Sequence, residues 1–439
     1  MKKIFSLVAC SLVSLSMFAE GYQVNLQSAR QAGMGHVGTG MKLGAESMHF
    51  NPAGLTSIQN TADFSVAGNM IFSNVKYTNG SYTAETDNGV STPMSAYAGF
   101  KLGKRWAAGL AVTTPYGSSL NWGDNWRGAN LIQKISLQSF CFQPTVAYQI
   151  LDNLSIGAGL MVFRGNFEID KSLLPIGFKP GVPGVDNLFP VDAPAASINL
   201  KGDAKTAYGF NVGVLWNIED NFSFGISYRS KAMIKVKDGD ATVSFDNEKL
   251  QNILLNTPGI KDQINAVNGA KVKTQLPAPS NLTVGFSYKP TEKWTIAADL
   301  QYVGWNAYDS LNFQFDKNGL ITEQPSEKNY SSSIAARIGS EYETLDWLTL
   351  RAGFYYDQTP VNTFYYNPET PGANKFGLTT GATFKLYKGL SADLALAYVF
   401  GTPTDGRVQT GIVDNKPVYF QGKYTPNAFN LSLGLRYNF

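Results

Sequence analysis

Few residues of this chain could carry out acid–base or metal chemistry. Its two histidines, His36 and His49, both lie in an N-terminal stretch, residues 20–60, that is rich in Gly, Ala and Ser. Histidine is the commonest general base, and the rest of the chain has none. Two histidines without cysteine or a carboxylate at ligand spacing also make a poor zinc site. We therefore predict no catalytic residues, no metal and no cofactor, and we predict that the protein is not an enzyme.

Three arginines are candidates for a different kind of chemistry, the binding of a ligand carboxylate. Arg229, Arg337 and Arg351 each fall on the polar phase of a segment in which polar and apolar residues alternate. A guanidinium group is well suited to bidentate contact with a carboxylate. The alternative is that these inward charges pair with one another or hold an internal plug. The sequence leaves both interpretations open.

The alternation around these arginines is typical of β-strands, whose side chains point to opposite faces with a period of two. It is clearest in the last eleven residues, where the apolar positions are Phe429, Leu431, Leu433, Leu435, Tyr437 and Phe439. A final strand that ends on an aromatic residue resembles the closing strand of an outer-membrane β-barrel. The phase changes near Ser139 and near Phe163, which predicts bulges or bends there.

Short and long connections alternate along residues 61–439, and together they join about fourteen strands. An even strand number, short periplasmic turns and long outer loops are the pattern of a bacterial membrane barrel. An aromatic girdle is expected beside the short turns, and four tryptophans lie there: Trp106, Trp216, Trp294 and Trp347. We therefore predict an all-β fold, a transmembrane antiparallel β-barrel of about fourteen strands, in the outer membrane of a Gram-negative bacterium.

The N-terminal residues do not follow the barrel pattern. Residues 1–19 read as a signal peptide, with Lys2 and Lys3 before an apolar run and a small residue, Ala19, at its end. About eight strands already fill a barrel with side chains, so a barrel of about fourteen is hollow. Residues 20–60 are therefore predicted to form a hatch that plugs the lumen. A periplasmic tail is the alternative.

Several motifs, in the same order along the whole chain, resemble those of the FadL/TodX family of outer-membrane transport proteins for hydrophobic compounds. The hatch-like start holds Asn51-Pro52-Ala53, which matches the family's hatch motif. Further matches are Thr114-Pro115-Tyr116-Gly117, Trp126-Arg127-Gly128, Leu276-Pro277-Ala278-Pro279, Ala298-Asp299-Leu300-Gln301 and Asp357-Gln358-Thr359-Pro360. The resemblance runs from residue 20 to residue 439.

The resemblance implies passive transport of hydrophobic molecules, with long-chain fatty acids as the default substrate. Outer loops would capture the molecule, a pocket in the lumen would hold it, and a kink in the third strand would release it sideways into the membrane. Asn51, Pro52 and Ala53 would shape the hatch beside that opening. In this chain the third strand is about Trp106 to Pro115, and its small residues Ala107, Gly109 and Ala111, with Pro115, would let it bend. The alternative is that these residues are merely small and face the lumen.

Two long outer loops are unusually apolar. Leu250, Ile253, Leu254, Ile260 and Ile264 follow helical spacing in the loop at 239–272, and Leu173 and Phe178 lie in the loop at 171–197. Exposed apolar surface of this kind often marks a binding groove. We predict a hydrophobic capture groove here, or else two loops that bury these residues against each other.

Two other kinds of protein have the same strand pattern: a general diffusion porin and an adhesin-like structural barrel. The hatch and the apolar outer loops argue against the porin, while seven outer loops leave the adhesin open. The net charge is only +3, so no nucleic-acid partner is predicted. We expect a monomer that contacts outer-membrane lipid and a hydrophobic small molecule, whether a fatty acid, an alkane or an aromatic compound.

Overall fold

A computed structural model describes residues 21–179, 185–257, 259–413 and 415–439, so the predicted signal peptide, residues 1–19, lies outside the described residues. In these ranges fourteen strands form the wall of the barrel. All strands are numbered in the order of the chain. They are β1 (Ala62–Asn79), β4 (Met94–Leu102), β5 (Trp106–Thr113), β7 (Lys134–Leu151), β8 (Leu154–Ser172), β10 (Ala207–Glu219), β11 (Phe222–Arg229), β14 (Asn281–Thr291), β15 (Trp294–Val303), β18 (Ser333–Leu345), β19 (Leu348–Asp357), β20 (Lys375–Tyr387), β21 (Leu390–Gly401) and β23 (Lys416–Asn438).

The other strands extend the sheet on the outer side: β2 (Tyr82–Glu85), β3 (Val90–Ser91), β6 (Gly117–Asn121), β9 (Ala196–Asp203), β12 (Ala232–Phe245), β13 (Lys271–Ala278), β16 (Ser310–Lys317), β17 (Leu320–Glu327) and β22 (Thr404–Val413). The α-helices are α1 (Ala29–Ala32), α2 (Ser47–Phe50), α3 (Glu248–Asn256) and α4 (Ile260–Val267), and 3-10 helices span Gly44–Glu46, Pro52–Ser57, Asp186–Leu188, Trp305–Ala307 and Thr363–Tyr365. No helix within the described ranges is long and apolar enough to cross a membrane.

The sheet closes on itself because the last strand pairs with the first. β1 and β23 run antiparallel from Asp63 opposite Asn438 to Thr78 opposite Lys423. On the final strand Leu433 and Leu435 are exposed on the outer surface, whereas Asn430 and Ser432 are buried inside. The prediction of an antiparallel barrel of about fourteen strands is confirmed, and the four tryptophans beside the short turns are exposed on its outer surface.

The bulges or bends predicted near Ser139 and Phe163 lie in the strands beside β7 and β8. The break at Thr114–Tyr116 faces Ser139, and the pairing of β8 shifts by one residue between β9 and β10, opposite Arg164. β7 and β8 keep one register from Lys134 opposite Asp170 down to Gln149 opposite Ser155. Inward-facing residues of these strands are polar near the hatch but apolar higher up, as at Leu137, Phe163 and Phe167. The apolar residues therefore change faces along the sequence while the pairing of β7 with β8 stays regular.

The segment Gly21–Ile58 lies inside the barrel as the hatch. Two of its backbone N–H groups are satisfied locally by side-chain caps. Ser28 accepts a hydrogen bond from the amide of Gln31 at 3.2 Å to start α1, and Asn51 accepts one from the amide of Ala53 at 3.2 Å to start the 3-10 helix Pro52–Ser57. Proline suits the first position of a helix because its missing N–H would be unpaired there in any case.

Charges on the inner wall hold one side of the hatch. Arg30 of α1 donates to Glu341 of β18 at 2.8 Å, and Arg351 of β19 donates to the same carboxylate at 3.0 Å. Arg436 of β23 donates to the buried Asp393 at 2.6 Å. Pairing is required here because an unpaired charge buried away from water costs several kcal/mol. The Arg30–Glu341 pair fixes α1 against β18, and the other two pairs join neighbouring strands of the wall.

Candidate functional site

The barrel wall is interrupted in its third strand. β5 ends at Thr113, and β6 starts at Gly117 after the segment Thr114–Tyr116. β4 pairs with β5 only as far as Ser95 opposite Thr113. Pro115 lies in the break, where a residue without an N–H cannot take part in ladder hydrogen bonding. Beyond this point the wall continues as β6, which pairs with β7.

Hydrogen bonds close the wall below and above the break. Below it, the amide of Met94 donates to the Thr114 hydroxyl at 3.0 Å. Above it, the amide of Asp87 donates to the Asn121 carbonyl and the amide of Asn121 to the Asn88 side chain, each at 2.8 Å. The opening therefore lies between these two sets of bonds.

A cavity of about 450 Å³, here called the lateral cavity, occupies this opening. Its edges are Val90–Met94 on one side and Tyr116–Ser119 on the other. Val90 and Met94 are exposed on the lipid-facing surface, whereas Tyr355 and Asp357, which also line the cavity, are buried in the lumen. The lateral cavity therefore runs through the barrel wall. Its volume is within the ~300–1,000 Å³ typical of ligand pockets.

The first residues of the hatch close the inner side of the lateral cavity. Val24 donates its amide to the Pro115 carbonyl at 2.8 Å, and Gly117 donates to the Tyr22 carbonyl at 2.9 Å. This short antiparallel bridge satisfies backbone groups that the interrupted strand leaves without a strand partner. The Tyr22 ring also meets Trp305 edge-on at 4.9 Å. The hatch start thus serves as an inner cover for the opening.

Beneath the lateral cavity, a small polar chamber of about 60 Å³ separates the hatch from strands β11 to β18. Arg229 lines it and donates to the His49 carbonyl at 3.1 Å, and Arg337 lines it and donates to Asp357 at 3.2 Å. Asp299 accepts from the amides of Gly38 and Thr39 at 2.8 and 3.1 Å. The contacts of Arg229 and Asp299 tie the hatch to the wall, whereas the Arg337–Asp357 pair joins two wall strands.

Both histidines border the same chamber and are held neutral. Burial, together with the charge of Arg337, lowers the pKa of His36 to about 3. Burial, with the charge of Arg229, holds the pKa of His49 well below its usual range. No group of three His, Cys, Asp or Glu side chains in the described part of the chain is arranged to hold a metal ion.

The three candidate arginines therefore differ in position. Arg229 and Arg337 border the polar chamber, so ligand contact stays a prediction for them. Arg351 lies deeper, paired with Glu341 and donating to Thr383 at 2.5 Å. All three have the partners expected of charges that pair across strands or hold the plug, which is the second of the two interpretations above.

The hatch motif lies against glycines of the wall, away from the strand break. Asn51 is fully buried, and its side-chain amide donates to the carbonyls of Thr39 and Val214 at 2.8 and 2.9 Å. Facing it, Gly157, Gly213 and Gly225 of three neighbouring strands form a surface, here called the glycine seat. An added Cβ would lie 2.4 Å from Pro52 at Gly157, 2.1 Å from Asn51 at Gly213 and 2.0 Å from Thr39 at Gly225. Ala53 is also fully buried here.

A side chain in the glycine seat is expected to displace the hatch. In Gly213→Val the new methyl groups would overlap the Asn51 amide, and its hydrogen bonds would be lost, at about 1–3 kcal/mol for each buried group left unpaired. Ion conductance through a planar bilayer should then rise and fluctuate. Gly68→Val is the matched control, since Gly68 lies on the outer face of β1 with no atom within 4 Å of the added Cβ. Quiet recordings from both variants would show that the seat does not hold the hatch.

The three small residues of the third strand lie below the break. Ala107 and Ala111 are buried against the hatch in a cluster that includes Met48 and Leu55. A Cβ at Gly109 would lie 2.9 Å from the sulfur of Met48. The strand pairs regularly through all three positions, so among the predicted opening residues only Pro115 lies in the break.

The apolar residues of the two outer loops pack together. Leu250, Leu254 and Ile264 are buried in one cluster, and Ile253, Ile260, Leu173 and Phe178 pack against it half-buried. The cluster extends from these loops down to Tyr22 and Tyr116, beside the hatch start. Two small cavities of about 20 and 30 Å³ lie along it. The upper lumen is thus a continuous apolar region between the outer loops and the lateral cavity.

Tyr22, the cavity edge at Val90–Met94 and the glycine seat were not predicted from the sequence. One signal was available for the seat: Gly157, Gly213 and Gly225 all fall on the inward phase of their strands. Glycine in a strand interior often marks close approach of another backbone. Tyr22 and the Val90 edge carried no comparable signal, because their roles depend on segments that meet only in the folded barrel.

Comparison with protein families gives one match over most of the chain. The model described as "Outer membrane protein transport protein (OMPP1/FadL/TodX)" matches residues 10–439. Among curated proteins, the chain is 24% identical to a "Long-chain fatty acid transport protein" of Escherichia coli O6:H1, with 90% of each chain covered. It is 22% identical to "Outer membrane protein P1" of Haemophilus influenzae, with 99% of this chain and 98% of the relative covered.

Solved structures show the same fold. A Pseudomonas aeruginosa FadL homologue superposes with a TM-score of 0.79 at 20% identity, with 95% of this chain and 100% of that chain covered. The P. putida toluene transporter TodX superposes with a TM-score of 0.71 at 19% identity, with 96% and 99% covered.

Proposed function

Because the chain belongs to the OMPP1/FadL/TodX family of outer-membrane transport proteins, we propose that it takes up hydrophobic molecules and releases them sideways through the lateral cavity. Membership places the protein in the outer membrane of a Gram-negative bacterium and makes it a transport protein, not an enzyme. Long-chain fatty acids are the first substrates to test, since that is what the E. coli relative's name states.

The lateral cavity is the observation that carries the proposal. An apolar chain in a water-filled pore stays hydrated, whereas exit through the wall returns it to hydrocarbon, which lowers its free energy by about 0.8 kcal/mol per buried CH₂ group. The cavity joins the apolar upper lumen to the lipid-facing surface. Each barrel has its own hatch and its own opening, so the monomer is the proposed working unit.

In the proposed route, the apolar outer loops capture the molecule and the upper lumen holds it beside Tyr22. Displacement of the hatch start from Pro115 and Gly117 then uncovers the lateral cavity. The two backbone hydrogen bonds of this bridge, at 2.8 and 2.9 Å, and one from the Gln27 side chain to the Thr114 carbonyl at 3.1 Å join the hatch to the broken strand edge. Each contributes about 0.5–1.5 kcal/mol net, so the cover can open at modest cost.

Uptake by a bacterial host that lacks its own fatty-acid transporter tests this function. We expect radiolabelled oleate to enter cells that produce the protein, while a hydrophilic disaccharide of similar mass does not. A porin lets the disaccharide pass, and the hatch argues against that alternative. Entry of the disaccharide at the rate of oleate, or no gain in uptake of oleate, an alkane or toluene, would refute the proposal. An adhesin-like barrel would give the second of these results.

A further inference from the structure

Three basic residues form a row on the outside of the barrel where its apolar surface ends. On β8 the outward residues Ile156 and Leu160 are exposed and apolar, and Arg164 follows them, also exposed. Arg164 is ten residues above the periplasmic end of β8 at Leu154. At about 3.3 Å per residue and a strand tilt of about 40°, these ten residues rise ~25 Å along the membrane normal. That rise equals the height of the apolar band of an outer-membrane barrel. Arg164 is therefore at the level of the outer lipid headgroups.

Strand register places two lysines beside Arg164. β8 pairs with β9 through Asn166 opposite Asp203, but with β10 through Phe163 opposite Ala207, which is a shift of one residue. Lys205 and Thr206 therefore share the position opposite Arg164, as in a β-bulge. Lys205 in turn donates its amide to the Lys235 carbonyl at 2.8 Å. Arg164, Lys205 and Lys235, all exposed, thus lie on three adjacent strand segments and are here called the basic row.

Like charges on neighbouring strands repel one another, so the basic row needs nearby anions. Lys205 has one, Asp238, at 2.8 Å. Arg164 and Lys235 form no ion pair with the residues that the structure describes. Three other acids of these strands lie further from the membrane than Arg164. Asp203 is opposite Asn166, two residues beyond Arg164, and Glu168 and Asp240 both face Lys201. The cations are therefore concentrated at the membrane level.

We propose that the basic row binds the phosphate groups of a phosphorylated glycolipid in the outer leaflet. Arginine and lysine form strong, charge-assisted hydrogen bonds to phosphate, and the acyl chains of such a lipid would lie on the apolar surface below. Tyr208, which is 64% exposed just below Lys205, provides an aromatic contact at the same boundary. Phe140 pairs with Arg164 across the strands and also lines the lateral cavity. The bound lipid would therefore lie next to the mouth of the cavity.

Native mass spectrometry of the purified protein with lipid A tests this proposal. The wild-type protein should retain bisphosphorylated lipid A and retain much less of the same lipid after removal of its phosphates. In the variant R164Q/K205Q/K235Q, retention of the phosphorylated lipid should fall at least about fivefold, because the charge-assisted contacts to phosphate are lost. Equal retention of both lipids by the wild-type protein would overturn the proposal, whatever the variant does.

Two controls separate phosphate binding from general effects. The variant K249Q/K261Q removes two exposed lysines of the outer helices α3 and α4 and should bind as the wild-type protein does. The charge-preserving variant R164K/K205R/K235R should keep the phosphorylated lipid, and heat-dependent gel mobility reports whether each barrel is folded. Undiminished retention by folded R164Q/K205Q/K235Q would also overturn the proposal. None of these readouts depends on the transport of a hydrophobic substrate.

Discussion

Removal of the hatch core, residues 26–50, is expected to turn a nearly silent barrel into an ion channel. Intact protein should show little conductance in a planar bilayer, because the segment from Gly21 to Ile58 lies inside the barrel and contacts its wall. The deletion should raise conductance by about an order of magnitude or more, since fourteen strands enclose far more space than the roughly eight that side chains can fill. The inner wall would then be wetted readily, as its exposed residues would include Asp299, Arg337 and Glu341.

The strand ladder of the barrel does not depend on residues 26–50, so the deletion variant should still fold. The matched control lacks residues 318–320 instead, at the exposed tip of the hairpin between β16 and β17, and should stay silent. A large, steady conductance from the intact protein would mean that the hatch does not close the lumen. The porin alternative would then replace lateral transport as the explanation.

The barrel itself could be predicted from the sequence because its information is local. The period of two identifies each strand, and alternating short and long connections identify the two ends of the barrel. Outward positions in contact with lipid must be apolar all along the belt, as at Leu433 and Leu435. Because every strand repeats this pattern of apolar outward positions, an error in assigning one strand does not change the predicted fold.

The alternation of polar and apolar residues does not identify the inward face of a strand in the upper lumen, where inward residues are apolar. Leu137 and Phe163 face inward into the apolar cluster of the upper lumen, so they have the composition of lipid-facing residues. A pattern read from hydrophobicity alone cannot distinguish two apolar environments on opposite faces of one strand. The apolar residues therefore change phase near Ser139 and Phe163 although β7 and β8 keep one register with each other. The irregularities of the backbone lie in the strands beside this pair.

The candidate site could be predicted only in part, because it is built from long-range contacts. The Asn51-Pro52-Ala53 motif was visible, and so was Pro115 in the third strand. The glycine seat of Asn51 and the cavity edge at Val90–Met94 depend on which strands face the hatch. The small residues of the third strand led to the prediction that this strand bends. In the structure Ala107 and Ala111 pack against the hatch and leave space for it.

Reversible blockage of the lateral cavity tests the central claim, that hydrophobic molecules leave through the wall. Ser91 lines the cavity at its β3 edge and pairs with the inward-facing Ile71. In Ser91→Cys, a methanethiosulfonate reagent would transfer a bulky aromatic thio group to the new thiol as a mixed disulfide, with release of methanesulfinate, and this group would fill the opening. Cys141, the free cysteine of the described residues, is fully buried and should not react. Ala352→Cys, on the lipid-facing surface of β19, is the control for modification itself.

Oleate uptake by Ser91→Cys should be measured before modification, after it, and after the adduct is removed with dithiothreitol. We expect modification to lower the uptake rate about tenfold or more, since each ~1.4 kcal/mol added to a barrier lowers a rate about tenfold. Uptake should recover on reduction, and Ala352→Cys should transport equally well throughout. Unchanged uptake by fully modified Ser91→Cys would mean that the substrate does not pass through the lateral cavity, and release through the barrel wall would be ruled out.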